Sequence, residues 1–445
     1  MRRQFLKLLS ALLSVCLLIS YTEGTGISAD HGSNTDPAIT IEREDITPDE
    51  RIAFMESLQN NKISPNLIRN LYEYDKTNET DARFTALDSN LSQEMQTGMP
   101  TTGTAKVLVL TVEFNDMKFD QNMSVDLLEK NFFGEADEVS PNYPYESLSA
   151  FYKRSSYGKL DIQGDALTGC SLPNNRSYYD DNYTKLVTDT ITYYDSTGVD
   201  FSEYDGNNDG VIDNIYFHFA GPSTEWGSTW WSYCSYEFLR SSFYMIDGAA
   251  LGTVVMLHQA DPIVPIHETG HVLGLPDYYD YEDAGILFGG NDGSLTNDMM
   301  NNNSGDHNGF SKLLFGWIDD VRIVSGGEES ISLRPLGEYG DVAIVFPEHD
   351  SMFSEYYLIE YTGSGNYDIN RNISDNKVTD EGLRIFHVSA QLNDSNTAFL
   401  YDNTGAGVKL IEAVNRDHGS ELSSSLFLPG QSLTPDTIPS SGGYD

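Results

Sequence analysis

The stretch His267-Glu268-Thr269-Gly270-His271-Val272-Leu273-Gly274-Leu275-Pro276-Asp277 constrains this chain more than any other. Its two histidines are four positions apart. They therefore project from the same helix face about one turn apart. That spacing lets two imidazoles hold one Zn²⁺, and Glu268 adjoins the first of them, where its carboxylate can reach a water on the metal. Asp261 and Pro262 read as the start of the helix, Gly274 and Pro276 as its stop. Gly274 tolerates positive φ, so the chain can turn sharply and bring Asp277 back as a third, carboxylate ligand. The competing reading is a buried helix whose histidines are satisfied by hydrogen bonds. It leaves two imidazoles and a glutamate in a core with nothing to balance them, which is costly.

Charge narrows the partners. The chain has 445 residues, with 26 Lys plus Arg against 68 Asp plus Glu, a net charge of −42. This argues against nucleic acid and anionic membrane surfaces and leaves many carboxylates for cations. Three cysteines are too few for a disulfide-dense scaffold or a four-thiolate zinc module. Arg2, Arg3 and Lys7 precede an apolar run from Leu8 to Ile19, followed by small and polar residues. This is the pattern of a secretory signal, too short to span a bilayer comfortably, so a secreted protein with no stable membrane insertion is expected. After export Cys170 and Cys234 would remain, either paired or as two buried thiols.

Four segments follow from the chain's changing character. Residues 1–29 are the signal, and 30–100 are a polar extension ending in Gly98, Pro100 and Gly103. Residues 101–323 mix strand and helix patterns: Val107–Val112, Ile215–Phe219 and Gly252–Leu257 are β-prone, whereas Val125–Phe133 and Leu148–Tyr152 suit helices. From 324 to 445 the pattern is strands separated by turns, such as 342–346, 356–361, 383–388 and 408–411. That predicts a β-rich module, either a sandwich or a sheet packed on what precedes it. The fold class is α+β.

The motif and its continuation, Asp277-Tyr278-Tyr279-Asp280, resemble the immune inhibitor A family of secreted bacterial metallopeptidases, within the metzincins that use Asp as third zinc ligand. The resemblance extends to Val107–Phe114 with Asp116, to Ser155–Leu160, to Ala220-Gly221 and to Phe310–Trp317. It continues more weakly into Glu355–Glu360 and Gly382–His387, whereas 30–100 match only in position, as a propeptide. It implies a metzincin-like domain with a mixed sheet and an active-site helix. It also implies zinc on His267, His271 and Asp277, Glu268 as general base, and hydrolysis of peptide bonds in protein or peptide substrates. A methionine turn beneath the metal is implied at Asn297-Asp298-Met299-Met300, in the register of Met300, with Met299 the alternative.

Weaker signals accompany this. Asp205, Asn207, Asp209 and Asp213 hold positions 1, 3, 5 and 9 of a calcium-type loop, with Gly210 at 6. Position 12 is Tyr216, so a full EF-hand is excluded, and an Asn/Asp/Gly turn with solvated carboxylates competes with a Ca²⁺ site. His258 and His307 lie closer to the motif and methionine turn than His218 and His387, which fall in strand patterns. Tyr278 and Tyr279 adjoin the third ligand and either line the cleft or pack. With no cysteine in 30–100, a thiolate from this segment cannot hold the site latent. The rival to an endopeptidase is a non-catalytic binding or adhesion protein stabilised by its metals; Glu268 argues against it, because binding alone needs no general base.

Overall fold

The computed structural model describes residues 98–120, 123–135, 146–180, 182–224, 228–240, 244–258, 262–279, 298–303, 305–319, 321–324, 330–346, 351–362, 382–394, 398–401 and 409–414, together with residues 67, 70, 71, 426, 427 and 433. The expected signal at 1–29, and Asp261, Asn297 and Asp280, lie outside the described residues.

Strand β1 (Gly103–Glu113) carries the apolar run 107–110 and is buried on both faces. Val107 and Val109 enter one core, Leu108 and Leu110 the other, as the two-residue period requires. It pairs in parallel with β2 (Leu160–Ser171) and β3 (Asn214–Phe219). The edge strand β4 (Tyr233–Ser235) is antiparallel, the short hairpin β5 (Met245–Ile246) and β6 (Ala249–Ala250) stands apart, and β7 (Thr253–Leu257) pairs in parallel with β3. The first sheet is thus mixed, in the order β2-β1-β3-β7-β4.

Helices cover both faces. On one lie α1 (Val125–Phe133) and α2 (Leu148–Ser155), whose Leu128, Phe132, Phe151 and Tyr152 enter the larger core. On the other lies α3 (Tyr183–Ser196), which buries Leu186, Val187, Ile191 and Tyr194. Directly after β7 the chain enters α4 (Ile263–Val272), the helix of the histidine motif, with Pro262 at its N-cap. Two short helices follow, α5 (Met299–Asn302) and α6 (Gly309–Leu314).

The C-terminal strands form a second sheet, β8 (Val321–Val324), β9 (Val342–Val345), β10 (Glu355–Thr362), β11 (Gly382–Ser389) and β12 (Ile411–Ala413). It is antiparallel except between β8 and β9. Among the described residues this is one sheet packed on the first unit, with no second layer to make a sandwich. Val342, Ile344, Leu358 and Val388 join the same buried cluster as Phe151, Ile266 and Met300. Position 324, where the β-rich part was expected to begin, is the last residue of β8.

Candidate metal centre

Helix α4 is buried from Pro265 to Val272, its polar His267, Glu268, Thr269 and His271 included. Its carbonyls and hydroxyls are met from several directions. The Tyr152 hydroxyl donates to the Ile266 carbonyl at 2.8 Å, Tyr216 and Thr269 share a hydroxyl bond of 2.6 Å, and the Tyr236 hydroxyl donates to the His271 carbonyl. The helix ends because Gly274 takes φ +107°, a conformation that residues with a side chain rarely adopt. Its N–H bonds back to the His271 carbonyl at 2.7 Å, and that of Leu275 to the Gly270 carbonyl at 2.9 Å. The reversal carries Asp277 back against the helix.

Ligand atoms of His267, His271 and Asp277 lie within 4.8 Å of one another, and all three residues are buried. Both imidazole Nε2 atoms face the same Asp277 oxygen, at 3.1 Å from His267 and 3.3 Å from His271. Their Nδ1 atoms lie 2.7 Å from the Met299 carbonyl and 2.8 Å from the Leu275 carbonyl. A carbonyl can only accept, so each Nδ1 carries a proton, and once Nε2 is deprotonated each ring turns an Nε2 lone pair inward. Two imidazole nitrogens and a carboxylate oxygen converging in a buried space repel unless a proton or a metal cation lies among them. Two nitrogens and one oxygen are a donor set suited to zinc. Burial alone would push the His271 imidazolium down, yet the Asp277 and Glu268 charges outweigh it and hold His271 up at about 9. Burial would likewise raise Asp277, but the two imidazoles hold its carboxyl far below the ordinary range.

Glu268 is buried beside this group. Burial raises its carboxyl against the pull of both imidazoles, and the backbone N–H of Cys234 on the edge strand β4 donates to it. A carboxyl raised by burial and still reached by a donor has the character of a proton-transfer group.

Met300 packs beneath the helix. A Cβ added at Gly270 would lie 2.3 Å from the Met300 sulfur, so the absence of a side chain there is what lets the thioether sit between the two histidine turns. Met299 instead supplies the carbonyl that holds His267. Asp298 caps α5, accepting from Met300 N–H at 2.8 Å, and from Asn308 through its backbone N–H at 3.1 Å and its side-chain amide at 2.8 Å. Burial pushes Asp298 up to about 6 against the Met300 amide and the charge of Arg384.

The other sequence candidates lie elsewhere. Asp205, Asn207 and Asp209 accept backbone amides of their own turn, to Asp209, Gly210 and Val211. Asp213 is buried, accepts from the amides of Lys106 and Gly206, and is pushed up to about 8 by burial. Among the described residues, His267, His271 and Asp277 are the one group of three titratable ligands gathered closely enough to share an ion. His307 stands in a box of Phe151, Tyr152, Phe315 and Trp317, and burial pushes it down to about 3. His218 stacks on Phe119, and His258 bonds Ser232 at 2.7 Å. His387 bridges Glu355 and Glu412 across the second sheet. Tyr278 packs and shares a 2.8 Å bond with Ser311, whereas Tyr279 bonds Asp277 itself. Cys170 and Cys234 form no disulfide and belong to different cores.

The structural roles of Tyr152, Tyr216, Tyr236 and Asp298 left little trace in the sequence. Asp298 alone had a local signal, an Asp immediately before a short helix.

No protein-family model matches the chain. Two curated proteins match part of it, both named pre-pro-metalloprotease PrtV, from Vibrio cholerae serotype O1 strains M66-2 and ATCC 39315 / El Tor Inaba N16961. Each is 26% identical over 239 residues, covering 41% of this chain and 26% of the relative. The chain is a distant, partial homologue of a bacterial metalloprotease. Together with the buried His267–His271–Asp277 group, this bears out the resemblance to immune inhibitor A-like metallopeptidases. The chain matches about a quarter of the length of these metalloprotease relatives. No helix among the described residues is long and apolar enough to cross a membrane.

Proposed function

We propose that the protein is a secreted zinc-dependent endopeptidase. The observation that carries this is the convergence of two Nε2 lone pairs and one carboxylate oxygen, buried and adjacent to a buried glutamate. His267, His271 and Asp277 would hold the ion. When bound, zinc supplies a Lewis acid that polarises a carbonyl and makes water a nucleophile near neutral pH. Glu268 takes the proton of the attacking water and passes it to the leaving amine, and its raised carboxyl matches that exchange. The Cys234 N–H keeps Glu268 oriented. The Met299 and Leu275 carbonyls keep each imidazole in the tautomer that presents Nε2. Met300 is an apolar floor and moves no proton. In this reading 1–29 directs export, 30–100 is a propeptide, 101–323 is the catalytic part and 324–445 supports it.

Metal analysis and casein hydrolysis on the purified protein test the proposal. About one zinc per chain, with hydrolysis lost on chelation, supports it. Zinc without hydrolysis, unchanged in Glu268→Gln, would favour the non-catalytic binding protein.

Calcium in the 205–213 turn is a separate proposal, supported by the ligand spacing and by the burial of Asp213, whose Oδ1 no donor reaches among the described residues. Equilibrium dialysis that finds no bound calcium removes it.

A further inference from the structure

We propose that Glu360 and Arg384 on the C-terminal sheet are positioning residues for the metal site, acting through Asp298 and the Met299 carbonyl on the imidazole of His267. The inference rests on the metallopeptidase reading and extends it to residues far along the chain from the motif.

The contacts form an unbroken buried path. On β11, Arg384 Nε donates to Glu360 Oε1 at 2.7 Å. The other oxygen of Glu360, on β10, accepts the backbone N–H of Gly309 at 2.7 Å, at the first turn of α6. The preceding residue, Asn308, caps the same helix by accepting Ser311 N–H at 2.9 Å. Asn308 also gives both its donors to Asp298 Oδ2. Asp298 Oδ1 takes the Met300 N–H, which fixes the start of α5. The carbonyl of Met299, within that start, takes the Nδ1 proton of His267.

Each step has a physical reason to transmit. Glu360, Asn308 and Asp298 are at most 1% exposed, so water cannot replace a lost partner. Helices α5 and α6 have four and six residues, too short to hold their shape unaided. Their position therefore depends on the caps as well as on core packing, and Glu360 anchors the start of α6 beside the Asn308 cap. Removing its charge leaves Arg384 without its carboxylate and weakens the Gly309 anchor. The start of α6 shifts, Asn308 follows, and the Met299 carbonyl no longer fixes the His267 ring. Bonds to the far nitrogen of a metal-ligating histidine tune both ring orientation and ligand strength, and losing such support costs on the order of 10–100-fold in metal affinity. The readout of this coupling is at the metal.

The test uses the full chain loaded with cobalt(II), whose visible bands report ligand geometry. Glu360→Gln and Asp298→Asn are compared with Ile359→Ala, a buried change on the opposite face of β10. Asp298→Asn keeps the shape and turns an amide towards the donors of Asn308. The expected result is cobalt affinity lowered about tenfold or more, with altered bands, in both path variants. Ile359→Ala should show the wild-type spectrum at a comparable loss of stability. Folded Glu360→Gln and Asp298→Asn proteins with wild-type affinity and bands would overturn the positioning role. Failure of the wild-type chain to take up cobalt would instead remove the metallopeptidase reading.

Discussion

Gly270→Ala asks whether Met300 really lies against the metal-site helix. In an open helix interior, this change stabilises by about 1 kcal/mol, because Gly loses more backbone freedom on folding. Here the new Cβ would lie 2.3 Å from the Met300 sulfur, 3.1 Å from its methyl and 3.4 Å from His307 Cε1. A relaxed contact is about 3.5–4.0 Å, so the sulfur must retreat by more than about 1 Å. Met300 is fully buried, so its thioether moves only against neighbouring core atoms. Overpacking a closed core costs about 1–3 kcal/mol. The sum is a loss of about 0–2 kcal/mol where a gain is the usual result. Met300→Ala alone should cost about 2–5 kcal/mol through the cavity. In the double variant the two defects relieve each other, so the combined loss falls short of the sum by about 1–3 kcal/mol. Urea unfolding of the chelated protein measures this cycle without the contribution of metal binding. A Gly270→Ala protein about 1 kcal/mol more stable than wild type, with losses that add, would refute the packing and reopen Met299 as the floor.

Other outcomes follow from the same geometry. Glu268→Gln should keep metal affinity and lower kcat/KM by at least about 10²-fold, checked by metal titration beside peptide hydrolysis. Gly274→Ala places a side chain at φ +107° and should cost about 1–3 kcal/mol while weakening zinc binding, because the strained turn is what returns Asp277 to the histidines. Zinc at about 100 times its dissociation constant should stabilise the chain by about 2.7 kcal/mol over the chelated form, seen as a concentration-dependent Tm. Burial would lower His387, but Glu355 and Glu412 raise it to about 9, above an unfolded value near 6.5. Its stabilisation, on the order of 3 kcal/mol, is full below about pH 6.5 and fades as pH rises through about 9. The stability gap between wild type and His387→Gln should therefore shrink from pH 6 to pH 9.5 in urea unfolding, and a constant gap would count against the charged bridge.

What the residues declared by themselves was local. Two imidazoles at a four-residue interval, a glutamate beside the first and a glycine before a returning aspartate mark a candidate metal-binding turn by helix geometry and φ freedom alone. The buried strand at 107–112 was equally legible, because burial on both faces demands an unbroken apolar run. Strand β2 was not, since only part of one face is buried and Gly164 and Gly169 interrupt it. Helix α3 was hidden by four threonines, which disfavour helix until Leu186, Val187 and Ile191 find the sheet. Only the tertiary structure set the tautomers of His267 and His271, because their carbonyl partners depend on how α5 and the Leu275 turn pack. It alone put Met300 rather than Met299 under Gly270, and joined the second sheet to the histidine helix through Glu360, Asn308 and Asp298. Those contacts join residues up to 51 positions apart. No local pattern encodes them, since each depends on which surfaces are buried together.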